Sequence, residues 1–464
     1  MTITWLTRSK IPQATAYYYQ GQCREIKDES YESLISTIPN LQISTGHSKS
    51  YFSYDGYVHS VTIGSLQLGT TYCYSIGGEL HRNISIISYT PSATTSGSQE
   101  TIPVDYSNSW SKWISFKTAN PRGDPTTFAA IADSGTYGNV FDVVKQISLD
   151  PQVDMLIHAG DLSYGKVEDK WDLFGEIFEK VTSKLPMMVI PGNWDVKEGA
   201  ISPFLNRYPM PLPYTTPTSI LNVKDGTTQI YYNSFYSYQY SYCYIIMMSA
   251  YDPYDSSSKQ YHWLEKELIA ANRQRDLYPW LIVSVHSPMY SSSSGHNGSD
   301  LIFRNEIEPL FQRYQVNLVL SGHDHGYERT YQVFDGDILS NHQSNYTSTI
   351  GTIHIVVGTG GADTDPWLPN ESWTAHREST SGYTKITAHK HTLQIIYNRI
   401  NGTVGDQFII RNLSDSSFTS SHSSILILFF ILLTVVFPIC AYSRFPTRLF
   451  SFFMSPVYFE KSNV

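Results

Sequence analysis

Metal-competent side chains follow five short apolar segments in the middle of the chain. The segments are FAAIA, MLIHA, MMVI, LIVSV and VNLVL, and one or two donor residues come after each of them. The donors are Asp133, Asp161, Tyr164, Asn193, His286, His323 and His325. A polar residue after a single strand is usually a cap, a turn residue or a packed side chain. Seven donors after five consecutive strands indicate a metal site instead.

Seven donors are too many for one zinc ion and suit two ions that share a carboxylate. Asp161 is the predicted bridging ligand because its strand is expected to be central in the sheet. The mixture of carboxylate, phenol, amide and imidazole fits a harder and a softer ion side by side. Two such ions would hold a hydroxide at mild pH and bind the oxygens of a phosphoryl group that is being displaced. The donors therefore predict hydrolysis of a phosphate ester.

The order of the elements predicts how these donors are positioned. From residue 127 the apolar segments alternate with the amphipathic stretches VFDVVKQISL, KWDLFGEIFEKVTSK, QYHWLEKELIAANRQR and FRNEIEPLFQRY. Such alternation builds α/β layers whose ligands bind beyond the carboxyl ends of the strands. Short β-branched and aromatic segments before residue 118 predict a β-sandwich instead. The predicted parts are an all-β domain (1–118), a linker (119–126) and a catalytic domain (127–412).

Composition limits the class of protein. The chain has 464 residues, enough for two or three domains, and 14% of them are aromatic, as in a folded protein. A net charge of −9 argues against a nucleic-acid-binding protein, which would need a basic surface. The four cysteines contain no CxxC pair, which argues against a structural zinc site. A bridge between Cys23 and Cys73 is left open by the sequence.

The segment ILILFFILLTVVFPICAY (425–442) is an uncharged run of 18 residues. Its length predicts a single transmembrane helix, and the alternative is a buried core helix. A Ser-rich spacer (413–424) precedes it, and Arg444 and Arg448 in the tail (443–464) indicate that the tail is cytosolic. The expectation is a single-pass type I membrane protein with an extracellular or endolysosomal lumenal catalytic domain.

Sequons mildly support passage through the secretory pathway and predict a glycoprotein. They are at Asn83, Asn297, Asn345, Asn370, Asn401 and Asn412. The opening MTITWLTRSK has no apolar region and is not a signal peptide. Either the start is truncated, or the C-terminal segment alone inserts and leaves the bulk of the chain in the cytosol. The sequence favours a truncated start.

Several motifs resemble the metallophosphoesterase superfamily, and specifically the purple acid phosphatases. They are GDLSYG, GN after a strand, VSVHSPMYSS and LSGHDHGYERTY, together with WLEKEL, IHIVVGTGG and WTAHRESTSGY. The tyrosine within GDLSYG separates purple acid phosphatases from other members. The resemblance extends from residue 1 to about 410. It implies an α/β sandwich of two mixed sheets flanked by helices, preceded by an all-β fibronectin type III-like domain.

The resemblance also implies the roles of the donors. A ferric ion is expected on Asp133, Asp161, Tyr164 and His325, with a phenolate-to-iron charge-transfer band as the source of colour. A divalent zinc, iron or manganese ion is expected on Asn193, His286 and His323, with Asp161 bridging the two ions. His296 matches the substrate-facing histidine that binds phosphate or protonates the leaving group. The alternative for His296 is a histidine in a flexible Ser/Gly loop.

Trp194 departs from the family pattern, which has a histidine after the Asn ligand. A histidine can donate a proton near working pH, whereas an indole has nothing to titrate. Loss of a general acid typically costs ~10²–10⁴ in rate, so a preference for good leaving groups such as aryl phosphates or phosphoanhydrides is expected. Alternatively, Trp194 stacks on an aromatic substrate or only packs the pocket rim. Asp195 is expected to support the loop rather than to replace the missing acid.

Three functions are compatible with these features. The sequence favours a membrane-anchored acid phosphatase that hydrolyses phosphorylated small molecules or phosphoproteins. The alternatives are a phosphodiesterase on the same dimetal scaffold and a catalytically weakened surface binding protein. Only Trp194 supports the binding protein, and the seven intact ligand positions oppose it.

Overall fold

The computed structural model describes residues 1–23, 37–51, 54–78, 110–165, 168–197, 201–213 and 234–412. One unit runs from Met1 to Leu413, and a second, Ser414–Val464, lies outside the described residues. The predicted spacer, transmembrane helix and cytosolic tail (413–424, 425–442 and 443–464) therefore also lie outside them.

The predicted type I membrane location is contradicted. Within the described ranges no helix is long and apolar enough to cross a membrane. The longest helix described there has 15 residues and is amphipathic, whereas a spanning helix needs about 20 apolar residues.

Among the described residues before 118, seven strands form two antiparallel sheets. Their orders are β1-β5-β4 and β3-β2-β6-β7. The strands are β1 Thr2–Thr7, β2 Thr15–Gln20, β3 Gln42–Thr45, β4 His47–Lys49, β5 Tyr57–Thr62, β6 Thr71–Gly77 and β7 Ile114–Lys117. A disulfide joins Cys23 to Cys73 in β6, which answers the question that the sequence left open. The fibronectin type III-like assignment of this part stays a prediction.

A seven-stranded mixed sheet carries the first donors. Its order is β10-β9-β8-β20-β21-β22-β17, with β8, β9 and β10 parallel. The strands are β8 Thr126–Ile131, β9 Met155–His158, β10 Met187–Val189, β17 Asn345–Thr347, β20 Gly382–Ala388, β21 Thr392–Arg399 and β22 Val404–Arg411. Every residue of β8 and β9 is buried, which explains why their sequences are continuous apolar runs.

An eight-stranded mixed sheet carries the remaining donors. Its order is β11-β12-β13-β14-β18-β15-β16, and β19 also pairs with β15. Strands β12, β13, β14 and β18 are parallel. The strands are β11 Tyr236–Tyr240, β12 Cys243–Met247, β13 Trp280–Ser284, β14 Leu318–Ser321, β15 Tyr327–Phe334, β16 Asp337–Ser340, β18 Thr352–Val357 and β19 Thr374–Glu378.

Helices cover the outer faces of both sheets. They are α1 Val140–Leu149, α2 Glu168–Thr182, α3 Ile201–Arg207, α4 Lys259–Asn272 and α5 Leu301–Arg313. Side-chain caps begin α4 and α5, because Ser258 accepts from the Tyr261 N–H and Asp300 accepts from the Phe303 N–H. The helices α1, α2, α4 and α5 correspond to the four predicted amphipathic stretches, with ends shifted by up to three residues.

Three apolar clusters hold these layers together. One lies between the two sheets and includes Phe128 and Ile282. A second packs α4 and α5 on the eight-stranded sheet, and a third packs α1 and α2 on the seven-stranded sheet. The predicted arrangement of two mixed sheets flanked by helices is confirmed.

Arg207, at the end of α3, joins the all-β part to the layered part. Its buried guanidinium donates to Asp172 Oδ1 and Glu168 Oε2, both 2.7 Å away and both on α2. Its Nε donates to the hydroxyl of Tyr51 at 2.8 Å. Tyr51 in turn donates to Glu168 at 2.6 Å. A buried arginine with this many charge-assisted bonds fixes the two parts to each other.

Candidate metal centre

The seven predicted donors lie where strand ends of the two sheets meet. Asp133, Asp161, Tyr164 and Asn193 follow β8, β9 and β10 of the seven-stranded sheet. His286, His323 and His325 follow β13 and β14 of the eight-stranded sheet. This shared edge is called the seam below. Because β8, β9 and β10 are parallel, and so are β13 and β14, their carboxyl ends bring donors from distant segments to one place.

Asp133, Tyr164 and His325 form one group of donors. The Tyr164 hydroxyl is 3.1 Å from Asp133 Oδ1 and 2.7 Å from His325 Nε2. His325 Nε2 is 3.8 Å from Asp133 Oδ1. His325 Nδ1 lies 2.8 Å from the Asp363 carbonyl, so Nδ1 carries the proton and the lone pair of Nε2 faces the group.

Asn193, His286 and His323 form a second group. Asn193 Oδ1 is 3.0 Å from His323 Nδ1 and 3.2 Å from His286 Nε2. His286 Nδ1 donates to the Ala159 carbonyl at 2.7 Å. The Nε2 lone pair of His286 is therefore directed toward Asn193. An orienting bond of this kind is typical of histidines that bind metals.

Asp161 lies between the two groups. Its Oδ1 is 3.6 Å from His286 Nε2 in the second group. Burial raises the pKa of Asp161, and His325 and Tyr164 of the first group oppose that rise. The backbone N–H of Trp194 donates to Asp161 Oδ1 at 2.8 Å and fixes this orientation. A Cβ at residue 192 would lie 2.1 Å from the same oxygen, so only glycine fits there.

The backbone at the seam is strained. Four of the seven donors have positive φ angles, namely Asp133 (57°), Asp161 (55°), Tyr164 (52°) and His323 (73°). Residues other than glycine are uncommon in this region, although Asn, Asp and His are enriched there, and each costs on the order of 1–3 kcal/mol. Such strain persists where the surrounding structure demands a particular side-chain direction.

The electrostatics of the buried carboxylates favour positive charge at this centre. Burial and then the Asp161 charge raise the pKa of Asp133, and burial raises the pKa of Asp161 to about 6. Burial lowers the pKa of His286 to about 3 and that of His323 to about 2, so both rings are neutral and offer lone pairs. Buried carboxylates are costly unless they are paired or bind metal.

The donor set fits two metal ions. Ligand atoms of Asp133, Asp161 and His286 lie within 4.8 Å of one another. Asp133, Asp161 and Tyr164 supply the hard oxygen donors that suit a ferric ion, and the second group supplies an amide and two imidazoles for a divalent ion.

His296 extends over the second group. Its ring stacks on that of His323, with centroids 3.8 Å apart and planes 25° apart. Its Nδ1 is 3.1 Å from Asp324 Oδ1, and this hydrogen bond raises the pKa of His296. The side chain is 38% exposed, so substrate can reach it. His296 is therefore a partly exposed imidazole that stacks on a member of the second group and is oriented by Asp324.

The two residues after Asn193 differ in position. The Trp194 ring is half-buried, with its centroid 5.6 Å from that of Tyr164. Asp195 is fully buried, and it accepts the backbone N–H groups of Leu162 at 3.1 Å and Gly192 at 2.9 Å. Asp195 therefore links the loops that contain Leu162 and Gly192. Burial raises its pKa.

Two nearby residues were not predicted. Asp324 is almost fully buried, and its place between the histidines of the HDH motif is a signal that could have identified it. Tyr251 has its ring centroid 6.0 Å from that of His286, and its buried hydroxyl has no hydrogen-bond partner among the described residues. Nothing in the sequence distinguishes Tyr251 from the other 34 tyrosines.

Comparisons with known proteins agree with this geometry. A calcineurin-like phosphoesterase family matches residues 126–327, and the iron/zinc purple acid phosphatase-like protein C family matches residues 351–407. The chain is 30% identical over 353 residues to purple acid phosphatase 18 of Arabidopsis thaliana, covering 73% of this chain and 67% of that protein. It is 27% identical over 403 residues to Fe(3+)-Zn(2+) purple acid phosphatase 12 of the same plant, covering 82% and 74%.

A solved structure gives the same fold. The yellow lupin (Lupinus luteus) purple acid phosphatase PPD1 superposes with a TM-score of 0.71 at 21% sequence identity. The match covers 89% of this chain and 72% of the lupin chain. The α/β metallophosphoesterase fold is thereby confirmed.

Proposed function

Because the chain belongs to the purple acid phosphatases, within the calcineurin-like phosphoesterases, we propose that it hydrolyses phosphomonoesters that have good leaving groups. As a purple acid phosphatase it is a hydrolase with acid phosphatase activity, and a ferric ion plus a divalent ion fits its centre. The proposal adds the preference for the leaving group and the role of each residue.

The proposal depends on one observation: two groups of donors lie on either side of Asp161. Asp133, Tyr164 and His325 would hold the ferric ion, and Asn193, His286 and His323 the divalent ion. Asp161 would serve both ions. When bound, the two ions supply Lewis acidity toward phosphoryl oxygens and lower the pKa of a water molecule.

His296 would supply the proton. Its Nδ1 is directed to the Asp324 carboxylate, so that carboxylate orients the ring and stabilises its charged form. A protonated imidazole beside the centre can bind a phosphate oxygen or protonate the leaving oxygen. The Trp194 indole donates only a neutral N–H. Protonation of the leaving group would therefore depend on His296 alone, where the family pattern has two histidines.

The substrates we propose are phosphorylated small molecules and phosphoproteins whose leaving group needs little protonation. Aryl phosphates and phosphoanhydrides meet this condition. The chain itself carries a net charge of −9, so the two ions rather than a basic surface would attract the phosphate.

The test is the dependence of rate on the leaving group. The full chain, loaded with iron and zinc, would be assayed on aryl phosphates of graded leaving-group pKa and on glycerol phosphate, beside Trp194→His and His296→Gln. We expect kcat to fall steeply as leaving-group pKa rises, with Trp194→His flattening the dependence and His296→Gln steepening it. Alkyl esters cleaved as fast as aryl esters by the parent enzyme would refute the proposed preference.

A further inference from the structure

The all-β part contains a cavity of about 480 Å³ at one end of the sheet β3-β2-β6-β7. Three strands meet there, because Gln20 of β2 pairs with Tyr72 of β6 and Gln42 begins β3. The connection between β5 and β6 adds Ser65 and Gln67 to the wall. None of the seven metal donors is among the described residues that line the cavity. Its volume is within the range of about 300–1,000 Å³ that is usual for small-molecule sites, so it is a candidate binding site separate from the metal centre.

Exposed side-chain amides dominate the wall of the cavity. Each amide carries two N–H donors and a carbonyl acceptor, so several together can bind a ligand that both donates and accepts hydrogen bonds. No described residue that lines the cavity has a charged side chain, so an ionic ligand would lose water without gaining a counter-charge. The hydroxyl groups of a neutral sugar match these amides, because each hydroxyl is both a donor and an acceptor. The five amides are those of Gln20, Gln22, Asn40, Gln42 and Gln67.

Other groups hold the backbone that carries two of these amides. The Tyr19 hydroxyl donates to the backbone carbonyl of Gln22 at 3.2 Å. The backbone N–H of Gln67 donates to the Tyr72 hydroxyl at 3.0 Å, and the Thr118 hydroxyl donates to the Gln67 backbone carbonyl at 2.6 Å. The side-chain amides take no part in these bonds. The wall is therefore fixed in place before a ligand arrives, which reduces the entropy lost on binding.

We propose that this cavity binds a neutral oligosaccharide. A single exposed amide is ordinarily only hydrated, whereas five amides around one cavity, with no charged side chain among its described lining residues, form a wall of one chemical kind. The all-β part would then attach the phosphatase to a glycan while the metal centre acts on phosphate. A neutral glycan also suits a chain with a net charge of −9, because that charge does not repel it. This inference goes beyond the proposed function and does not depend on the leaving-group preference.

Calorimetric titration of the full chain with oligosaccharides tests the proposal. The neutral probes are cellohexaose, maltohexaose and chitohexaose, and trigalacturonate is the anionic probe. We expect at least one neutral probe to bind and trigalacturonate not to bind. The double variant Gln42→Ala/Gln67→Ala should weaken this binding about tenfold, and the loop variant Gln22→Ala about threefold, because each removes hydrogen bonds to the sugar. Gln13→Ala is the matched control, because it removes an exposed amide of the all-β part that does not line the cavity.

Each result decides for or against the sugar site. An unchanged midpoint of thermal unfolding shows that a variant is folded, and two separate variants keep the test independent of either one. Failure of all three neutral probes to bind would refute the proposal, and so would equal binding of trigalacturonate. Binding that the cavity variants leave unchanged, or that Gln13→Ala weakens as much, would refute this location. A parent chain that binds sugar but cleaves no phosphate ester would refute the proposed function and leave the sugar site standing.

Discussion

The phenol of Tyr164 lies 2.7 Å from Nε2 of His325, although the two residues follow strands of different sheets. Tyr164 follows β9 and His325 follows β14. The same relationship holds in the second group, where Asn193 meets His286 and His323 across the seam. Each proposed ion would therefore take ligands from both sheets.

The colour of the iron-loaded protein should depend on Tyr164. Tyr164→Phe removes the phenolate oxygen, so we expect the visible charge-transfer band to disappear while the bond that the His323 backbone N–H donates to Asp133 remains. Tyr137→Phe is the control, because the Tyr137 ring lies 6.1 Å from that of Tyr164 and is 43% exposed. Absorption spectra of the two variants at equal iron content measure the effect. A band retained in Tyr164→Phe would show that another residue binds the iron.

Asp161→Asn should weaken the binding of both ions, whereas Asp133→Asn should weaken mainly the iron. The reason is that Asp161 Oδ1 is 3.6 Å from His286 Nε2, whereas Asp133 Oδ1 is nearer to the Tyr164 hydroxyl (3.1 Å) than to His286 Nε2 (3.9 Å). Metal content after dialysis against a weak chelator, measured by atomic emission, distinguishes the two variants. If Asp161→Asn keeps its divalent ion at the parent level, the bridging role is wrong.

Asp195→Asn should destabilise the loops without removing a metal ligand. The buried carboxylate accepts from the N–H groups of Leu162 and Gly192, and an amide can turn only one oxygen toward them. A buried group left unsatisfied costs about 1–3 kcal/mol, so the free energy of unfolding of the metal-free protein should fall by that amount. Chemical denaturation gives the value. Loss of activity in a variant that is still folded and metal-loaded would instead indicate that Asp195 takes part directly in catalysis.

His354→Leu should stabilise the protein, and increasingly so at acid pH. His354 lies in β18, where burial and then the charge of Arg304 lower its pKa to about 3, and neither ring nitrogen has a hydrogen-bond partner among the described residues. Its pKa in the unfolded chain is about 6.5, so the unfolded state binds more protons below that pH and stability is lost as the pH falls. At about pH 4.5 the loss is on the order of 3 kcal/mol.

Denaturation curves of the metal-free parent and variant between about pH 7 and about pH 4.5 check this prediction. The gain in stability of His354→Leu should grow as the pH decreases. The exposed His342→Leu controls for removal of an imidazole as such. A gain that does not change with pH would mean that His354 is not the group that titrates.

The sequence predicted the layered fold because its signals are local. Continuous apolar runs such as FAAIA and the helical period of VFDVVKQISL correspond to β8 and α1. The seven donor positions were found because each follows such a run directly. Tyr251 could not be found this way, since its significance depends on its ring lying 6.0 Å from that of His286. The same is true of Arg207, whose partners on α2 and in the all-β part are 35 to 156 positions away.

The ion-pair cluster around Arg207 also has a consequence for how the protein can be divided. The guanidinium is satisfied by α2 and by Tyr51 together, so removal of residues 1–118 would leave a buried cation short of one partner and uncover the face of α2 around Glu168. A hydrogen bond to a charged group contributes about 1.5–3 kcal/mol, and the two carboxylate partners on α2 would remain. Residues 1–118 are thus a structural part of the hydrolase rather than a domain that can be removed independently. Loss of this part during evolution would require new partners for Arg207 and new cover for α2.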